Sequence, residues 1–269
     1  MRQWRLLIDL PQPGPTNMAV DEAILQAVSA GDALPTLRLY AWNPMCLSLG
    51  YGQRIADANQ ERTGARGWDI VRRPTGGRAI LHGDEITYSV SLPADDPLAQ
   101  GDVVESYRRI SEALMTALKH LGMLPESEKH AKGNHGLGPV CFEVPSHYEI
   151  TVNGKKLIGS AQVRRKHGIL QHGTLPLTGD IARICDALTY PDEDSREIAR
   201  VQVRARAITL HEACGQLIPW EDTAQALANG FKETFDLYLT HDSLSISEQQ
   251  NAQHFSETLY WTQEWNARR

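Results

Sequence analysis

The chain has 269 residues, 41% of them hydrophobic and 22% charged, which suits a globular protein with room for one large core. A net charge of −6 argues against nucleic-acid binding through bulk positive charge, and leaves room for a local basic rim that meets an acidic protein partner. No run approaches the ~18–20 apolar residues of a transmembrane helix, and the opening MRQWRLLIDLPQPG has no signal-peptide core.

In chain order, WRLLIDL reads as a strand that Pro11, Pro13 and Pro15 break. The stretch TNMAVDEAILQAVSA then sets Val20, Ile24 and Val28 on one helical face, with Asp21 and Glu22 expected in the first turns. TLRLYAW alternates with period two, and CLSLGYG is expected to pair with it across the Asn43-Pro44 turn. Two more strands, WDIVRRP and ITYSVSLP, flank the Gly76-Gly77 pair. Tyr107, Ile110, Leu114, Leu118 and Leu121 predict a long amphipathic helix that Gly122 ends. Residues 125–139 are polar and glycine-bearing, the composition of a loop. A hairpin around Asn153-Gly154, a strand GILQHGTLPL, a short helix near 180–188 and a helix WEDTAQALANGFKETFDLYL follow. The remainder, 240–269, reads as a helical tail packed on a single α+β domain spanning 1–269.

Three stretches carry candidate chemistry. In VRRPTGGRAILHGDEITYSV, adjacent glycines let a backbone approach a ligand, and Arg72, Arg73 and Arg78 could hold a carboxylate, a phosphate or a phosphopantetheine group. A tight turn with solvated arginines fits the same residues, and neither a Rossmann nor a P-loop spacing is present. In the hairpin, the Asn-Gly loop predicts a type I′ turn in which Val152 faces Lys155, Thr151 faces Lys156 and Ile150 faces Leu157. Lys156, Ile158 and Ser160 should then share one face, with Lys155, Leu157 and Gly159 on the other. Gly159 within a strand marks close approach by a ligand or a backbone.

The third stretch surrounds Cys141. The cysteines at 46, 141, 185 and 214 have no paired spacing, as expected of reduced thiols in a cytoplasmic protein. A free cysteine is usually a small buried hydrophobe, yet Cys141 follows a polar loop and precedes Lys156, whose ammonium would favour the thiolate. His130, His135, Cys141 and His147 do not match a common zinc spacing, so no metal site is expected. His82 and His172 are candidate acid–base groups, or histidines satisfied within the fold.

Taken together, RRPTGGRAILHGDEITYSV, NGKKLIGSAQ and LQHGTLPL fall in the order found in the lipoate–protein ligase and octanoyltransferase group, which the chain resembles over about residues 1–240. The stretch CFEVPSHYEITVNGKKLIGSAQVRRKHGILQHG is most similar to the LipM-type octanoyltransferases. The resemblance implies a class II aminoacyl-tRNA synthetase/biotin–lipoate ligase-like catalytic domain, with a mixed, mainly antiparallel sheet flanked by helices. It implies Cys141 as the nucleophile that carries the acyl chain, and Lys156 as the residue that lowers its pKa and contacts the oxyanion. It also implies substrate contacts from Arg72, Arg73, Thr75, Gly76, Gly77, Arg78, His82, Gly159, Ser160, Ala161, His172 and Gly173. The implied donor is octanoyl–acyl carrier protein, and the implied acceptors are lipoyl-carrier proteins (the glycine-cleavage H protein and E2 lipoyl domains), with no nucleic-acid or membrane partner. No ATP or metal is then required. An ATP- and Mg-dependent lipoate–protein ligase, an octanoyl-H-protein amidotransferase and a non-catalytic carrier-binding module are the competing readings.

Overall fold

The proline run that ends the first strand also begins the first helix. After β1 (Arg2–Ile8), Pro13 caps α1 (Gly14–Ala30), where a missing N–H costs nothing, and Gly31 ends it at φ +82° with its N–H on the Ala27 and Val28 carbonyls. The structure, a computed structural model, describes residues 1–128 and 149–268. Next come β2 (Thr36–Tyr40), β3 (Cys46–Leu49), α2 (Gln60–Ala65), β4 (Asp69–Arg72), β5 (Ile80–His82), β6 (Glu85–Pro93) and α3 (Val103–His120). Strands β7 (Glu126–Glu128), β8 (Glu149–Val152), β9 (Lys155–Arg164) and β10 (Gly168–Pro176) lead to α4 (Glu193–Arg206), α5 (Leu210–Cys214) and α6 (Trp220–Phe235). The described chain closes with β11 (Leu237–His241), α7 (Ile246–Phe255) and α8 (Gln263–Ala267).

The main sheet runs β11-β1-β2-β6-β10-β9-β8-β7, parallel at β11–β1 and β1–β2 and antiparallel elsewhere. This is the mixed, mainly antiparallel sheet expected. A smaller sheet, β4-β3-β5, lies apart from it. The expected pairing of CLSLGYG with TLRLYAW does not form, because β2 has β1 and β6 on its two edges and β3 joins the small sheet.

One face of the main sheet buries Leu37, Leu39, Ile86, Tyr88 and Val90 against Ile110, Leu114 and Leu118 of α3 and Leu227 and Phe231 of α6. The period that predicted α3 is therefore its contact stripe, and a reciprocal Asp102–Glu105 capping box starts the helix. Helix α1 lies on the other face, where Val20, Ile24 and Val28 meet Leu7 and Ala252 of α7. Asp21 and Glu22 belong to the middle of α1, not to its first turns, because the helix begins at Gly14. Among the described residues, no helix is long and apolar enough to cross a membrane.

Several elements differ from expectation. The DLYL segment is a strand, because Asp236 turns left-handed at φ +50° and Leu237–His241 then pairs along β1. Helix α4 carries only Ala199 and Val203 as buried residues, a stripe too sparse to show as a period. The 180–188 segment is a 3-10 helix, Ile181–Asp186, capped by Asp180.

Helices α3 and α6 approach closely at Gly230, where an added Cβ would lie 2.5 Å from the Ala113 carbonyl oxygen and 2.7 Å from the Ala117 nitrogen. Alanine ordinarily stabilises a helix interior relative to glycine by about 1 kcal/mol. Here backbone is in the way, so Gly230→Ala is expected to destabilise the fold by about 2 kcal/mol in urea unfolding. An unchanged or raised midpoint would contradict this packing.

Candidate active site

The two-residue loop forms with Asn153 at φ +54° and Gly154 at φ +70°, and Val152–Lys155 and Thr151–Lys156 pair as expected. The next pair is Ile150–Ile158, not Ile150–Leu157, because Leu157 is an extra residue in β9. Thr151 and Ile150 point to opposite faces, so their partners Lys156 and Ile158 do too. The expected grouping of Lys156 with Ile158 and Ser160 is therefore corrected. Leu157 and Ile158 both enter the core under α3, while Lys156 lies on the opposite face with Gly159. A Cβ at Gly159 would meet Lys156 Cε at 3.3 Å and Nζ at 3.7 Å, so the glycine makes room for the lysine stem. The ammonium is buried and donates to Glu149 Oε1 at 2.7 Å.

On that face a narrow cavity opens between the main sheet and the small one. Met18 of α1, Tyr40, Trp42 and Ile80 give it an apolar side. Gly159, Ser160 and Ala161 of β9 and His172, Gly173 and Thr174 of β10 form one wall, and Ser48, Arg73, Gly77 and His82 face them. Gly173 has no alternative there, because a Cβ would lie 2.5 Å from Ser160 Oγ and 2.6 Å from the Gly159 carbonyl oxygen.

Two carboxylate–histidine–hydroxyl chains support these walls. His82 Nδ1 lies 2.8 Å from Glu85 Oε1 and its Nε2 lies 2.8 Å from Ser48 Oγ, while Thr87 and Thr174 hydroxyls donate to Glu85. The Trp42 ring stacks on His82 at 3.9 Å between centroids and donates Nε1–H to Thr87. In the second chain His172 Nδ1 faces Asp21 Oδ2 at 3.4 Å, and its Nε2 lies 2.7 Å from Thr75 Oγ1. Asp21 also accepts from Arg38 at 2.8 Å, Tyr40 at 2.9 Å and Ser89 at 2.8 Å. A carboxylate partner at Nδ1 orients each ring and favours a proton on that nitrogen.

Burial alone would raise the Asp21 pKa, but the Arg38 charge and then the His172 and Arg38 contacts outweigh it and hold the carboxyl below its usual value. Glu85 behaves alike: burial pushes up, and His82, Thr174 and Thr87 bring it below the usual range. Burial dominates at His172 and lowers its pKa despite Asp21, so the ring is neutral at pH 7.

Among the arginines expected at the site, Arg72 turns away from the cavity. It is fully buried, and its guanidinium donates to the carbonyls of Gly50, Tyr51, Gln53, Trp265 and Asn266. Arg73 lines the cavity, with Nη1 on Ser48 and Nη2 on the Gly76 and Arg78 carbonyls, so it braces the glycine turn from within. Gly76 and Gly77 are exposed, and Gly77 has φ +91°. Arg78 is half-buried and lines a groove with Arg54 on another side of the turn. Cys141, His130, His135 and His147 lie outside the described residues, while Cys46 and Cys185 are buried and Cys214 is half-exposed. Among the described residues no group of three His, Cys, Asp or Glu could hold a metal ion.

Sequence reasoning missed Asp21, Arg38, Glu85 and Glu149. Their signal was a charge set within an apolar pattern, as in NMAVDEAIL and TLRLYAW.

The chain shares this mixed, helix-flanked sheet with solved lipoate–protein ligases. The bipartite lipoate protein ligase of Thermoplasma acidophilum matches with a TM-score of 0.84 and 25% identity over 100% of this chain and 98% of that one. A lipoate-protein ligase A solved with ATP matches at 0.81 and 25%, over 99% of each chain. The chain belongs to the lipoyl protein ligase A/B catalytic domain family, whose profile matches residues 13–232. Its curated relatives include proteins named octanoyltransferase LipM from Brevibacillus brevis (39% identical), Kyrpidia tusciae (40%) and Bacillus subtilis (37%). The first two comparisons cover 100% of both chains, and the third covers 99% of this chain and 98% of its relative.

Because the His172 pKa is depressed in the fold, the unfolded chain takes up a proton near pH ~6.5 that the native ring refuses. Its contribution to stability is fully present above that pH and is lost as pH falls. Asp21 and Glu85 act in the same sense only below about pH 4. The urea midpoint should therefore drop between about pH 7.5 and 5.5, and drop less in His172→Gln. Superimposable pH profiles for the two proteins would show that His172 is not held neutral.

Proposed function

We propose that the protein is an octanoyltransferase that moves an octanoyl group from octanoyl–acyl carrier protein to a lysine of a lipoyl-carrier protein through a thioester on Cys141. The observation that carries the reading is the buried Lys156 ammonium set over Gly159 at the wall of an apolar-sided cavity. Octanoyltransferase names on relatives of full length support it, as does the short tether. Cys141 precedes Glu149, the partner of Lys156, by eight residues, a reach of at most about 28 Å.

In the first step the Cys141 thiolate attacks the carbonyl carbon of the donor thioester. A new C–S bond forms, the old one breaks, and the phosphopantetheine thiolate leaves and takes a proton from solvent. In the second step the carrier's lysine amine attacks the acyl-enzyme. The C–N bond forms, the C–S bond breaks, the nitrogen loses its proton and the Cys141 thiolate is regenerated. Exchange of a thioester for an amide is downhill, so neither ATP nor a metal is required. The Lys156 charge favours the thiolate, and its N–H groups face the developing oxyanion. Sequestering six methylenes and a methyl contributes about 5–6 kcal/mol to holding the chain. Residues 1–269 act as one catalytic domain, with the segment after β11 that carries α7 and α8 as its helical tail, in a cytoplasmic setting.

The ATP-dependent ligase reading keeps one observation in its favour, the fold shared with a ligase solved with ATP. Intact-mass measurement separates the two. Incubated with octanoyl–acyl carrier protein and no ATP, the wild type should gain one octanoyl group and Cys141→Ala none. Transfer that needs ATP and survives Cys141→Ala would establish the ligase. Octanoyl-H protein offered as the only donor tests the amidotransferase variant.

Lys156→Ala should slow iodoacetamide alkylation of Cys141 near neutral pH by about tenfold, since each pKa unit gained removes about nine-tenths of the thiolate. An unchanged rate would remove the electrostatic role of the lysine.

A further inference from the structure

Arg72 ties three parts of the molecule together. Its Nη1 donates to the carbonyls of Gly50 at 3.0 Å, Tyr51 at 3.1 Å and Gln53 at 2.6 Å. Its Nε and Nη2 donate to the carbonyls of Trp265 at 3.2 Å and Asn266 at 3.0 Å in α8. The backbone of the same residue is clasped too: its N–H donates to Asn266 Oδ1 at 2.7 Å, and its carbonyl accepts from Trp265 Nε1 at 2.8 Å. A planar guanidinium with five donors can satisfy several carbonyls at fixed angles, which a lysine cannot.

Residues 50–53 in turn brace the glycine turn. The Tyr51 N–H donates to the Thr75 carbonyl at 2.9 Å, and Gly50 is so close that a Cβ on it would lie 2.0 Å from the Gly77 carbonyl oxygen. The α8 side reaches this loop a second way. The Tyr51 and Trp265 rings lie 5.9 Å apart, with the Arg268 guanidinium 5.1 and 4.9 Å from their centroids. Helix α8 is itself secured by Asn266 Nδ2, which donates to the Tyr260 and Thr262 carbonyls at 2.7 and 3.0 Å.

We propose that Trp265 and Asn266 are positioning residues of the site: acting through Arg72 and residues 50–53, they hold the Thr75–Gly77 turn in the shape that walls the cavity. Arg72, expected to meet substrate, instead passes the restraint inward. Thr75 hydrogen-bonds His172 and Gly77 lines the cavity, so slack in α8 reaches the wall. The kinetic arm of the test rests on the transferase reading, and the exchange arm does not.

The test uses full-length Asn266→Ala and Trp265→Ala beside Asn266→Asp, which keeps an oxygen to accept from Arg72 but gives up the Nδ2 donor to Tyr260 and Thr262. Hydrogen exchange is followed at Tyr51 and Arg73, whose amides donate to Thr75 and Leu49, and at Tyr88 in β6 as the control. Exchange at Tyr51 and Arg73 should quicken at least about tenfold in both alanine variants while Tyr88 stays protected. In the same variants KM for octanoyl–acyl carrier protein should rise about tenfold with kcat changed less than about threefold. Asn266→Asp, with the Arg72 contact kept but the Nδ2 donor gone, should fall between the wild type and Asn266→Ala in both readouts. Wild-type exchange at Tyr51 and Arg73, or acceleration shared equally by Tyr88, overturns the proposal. Failure of the wild type to form an acyl-enzyme would count against the transferase reading alone, and the exchange rates would still decide this one.

Discussion

A strand sends alternate side chains to opposite faces, so counting back from Ser160, whose hydroxyl meets Tyr88 on the core side, would put Lys156 in the apolar layer beneath α3. The extra residue at Leu157 breaks that count. Its effect is local in the backbone and decisive in chemistry: one ammonium moves from a face that could not solvate it to one that holds Glu149 and the cavity. The same irregularity gives the core two consecutive apolar side chains, Leu157 and Ile158, where regular pairing would supply one. Packing on one side and chemistry on the other are thus set by one insertion, with Gly159 supplying the volume the lysine stem needs.

The site's other polar groups are held by charges that would be costly if left alone. Asp21 and Arg38 are both buried, and each is compensated several times over: Asp21 by Arg38, Tyr40, Ser89 and His172, and Arg38 by Asp21, Asp9 and Asn17. Such arrangements contribute little net stability, because desolvation offsets attraction, but they allow few alternative geometries. Helix α1, strands β2 and β6 and strand β10 are fixed to one another through a single carboxylate. The cavity wall therefore inherits its shape from the interior of the fold rather than from its own loops.

Much of this was legible in the chain before its structure. The period in α3 reports burial directly, the alternation in β2 separates an apolar face from a polar one that is buried as well, and Asn153-Gly154 dictates its turn whatever surrounds it. The elements that escaped are those whose reason lies elsewhere: β11 exists because β1 offers an open edge, and α4 touches the core through two residues. At the site, glycines and histidines announce themselves by type, whereas Asp21 and Glu149 look like surface carboxylates until their partners are seen. Arg72 shows the limit most clearly. An arginine beside a glycine turn reads the same whether it awaits an anion or five carbonyl oxygens, and only the path of α8 tells them apart. The bulge lay beyond reach for a similar reason, since the turn fixes register only for the pairs nearest to it.

The two histidine chains carry a further meaning for what the cavity accepts. Hydroxyls and imidazoles stand in its lining and, at Thr75, behind it, yet those of Ser48, Thr75, Thr87, Thr174, His82 and His172 are already engaged with one another or with buried carboxylates. A guest therefore meets paired dipoles with few protons left to offer. Such a surface discriminates by contour and by indifference: a saturated hydrocarbon loses nothing on entering, while an oxidised or hydroxylated tail sheds its water and finds little in return. The chamber is oil-like in behaviour despite the hydroxyls and imidazoles in its wall, and that property belongs to the hydrogen-bond pattern as much as to its apolar side.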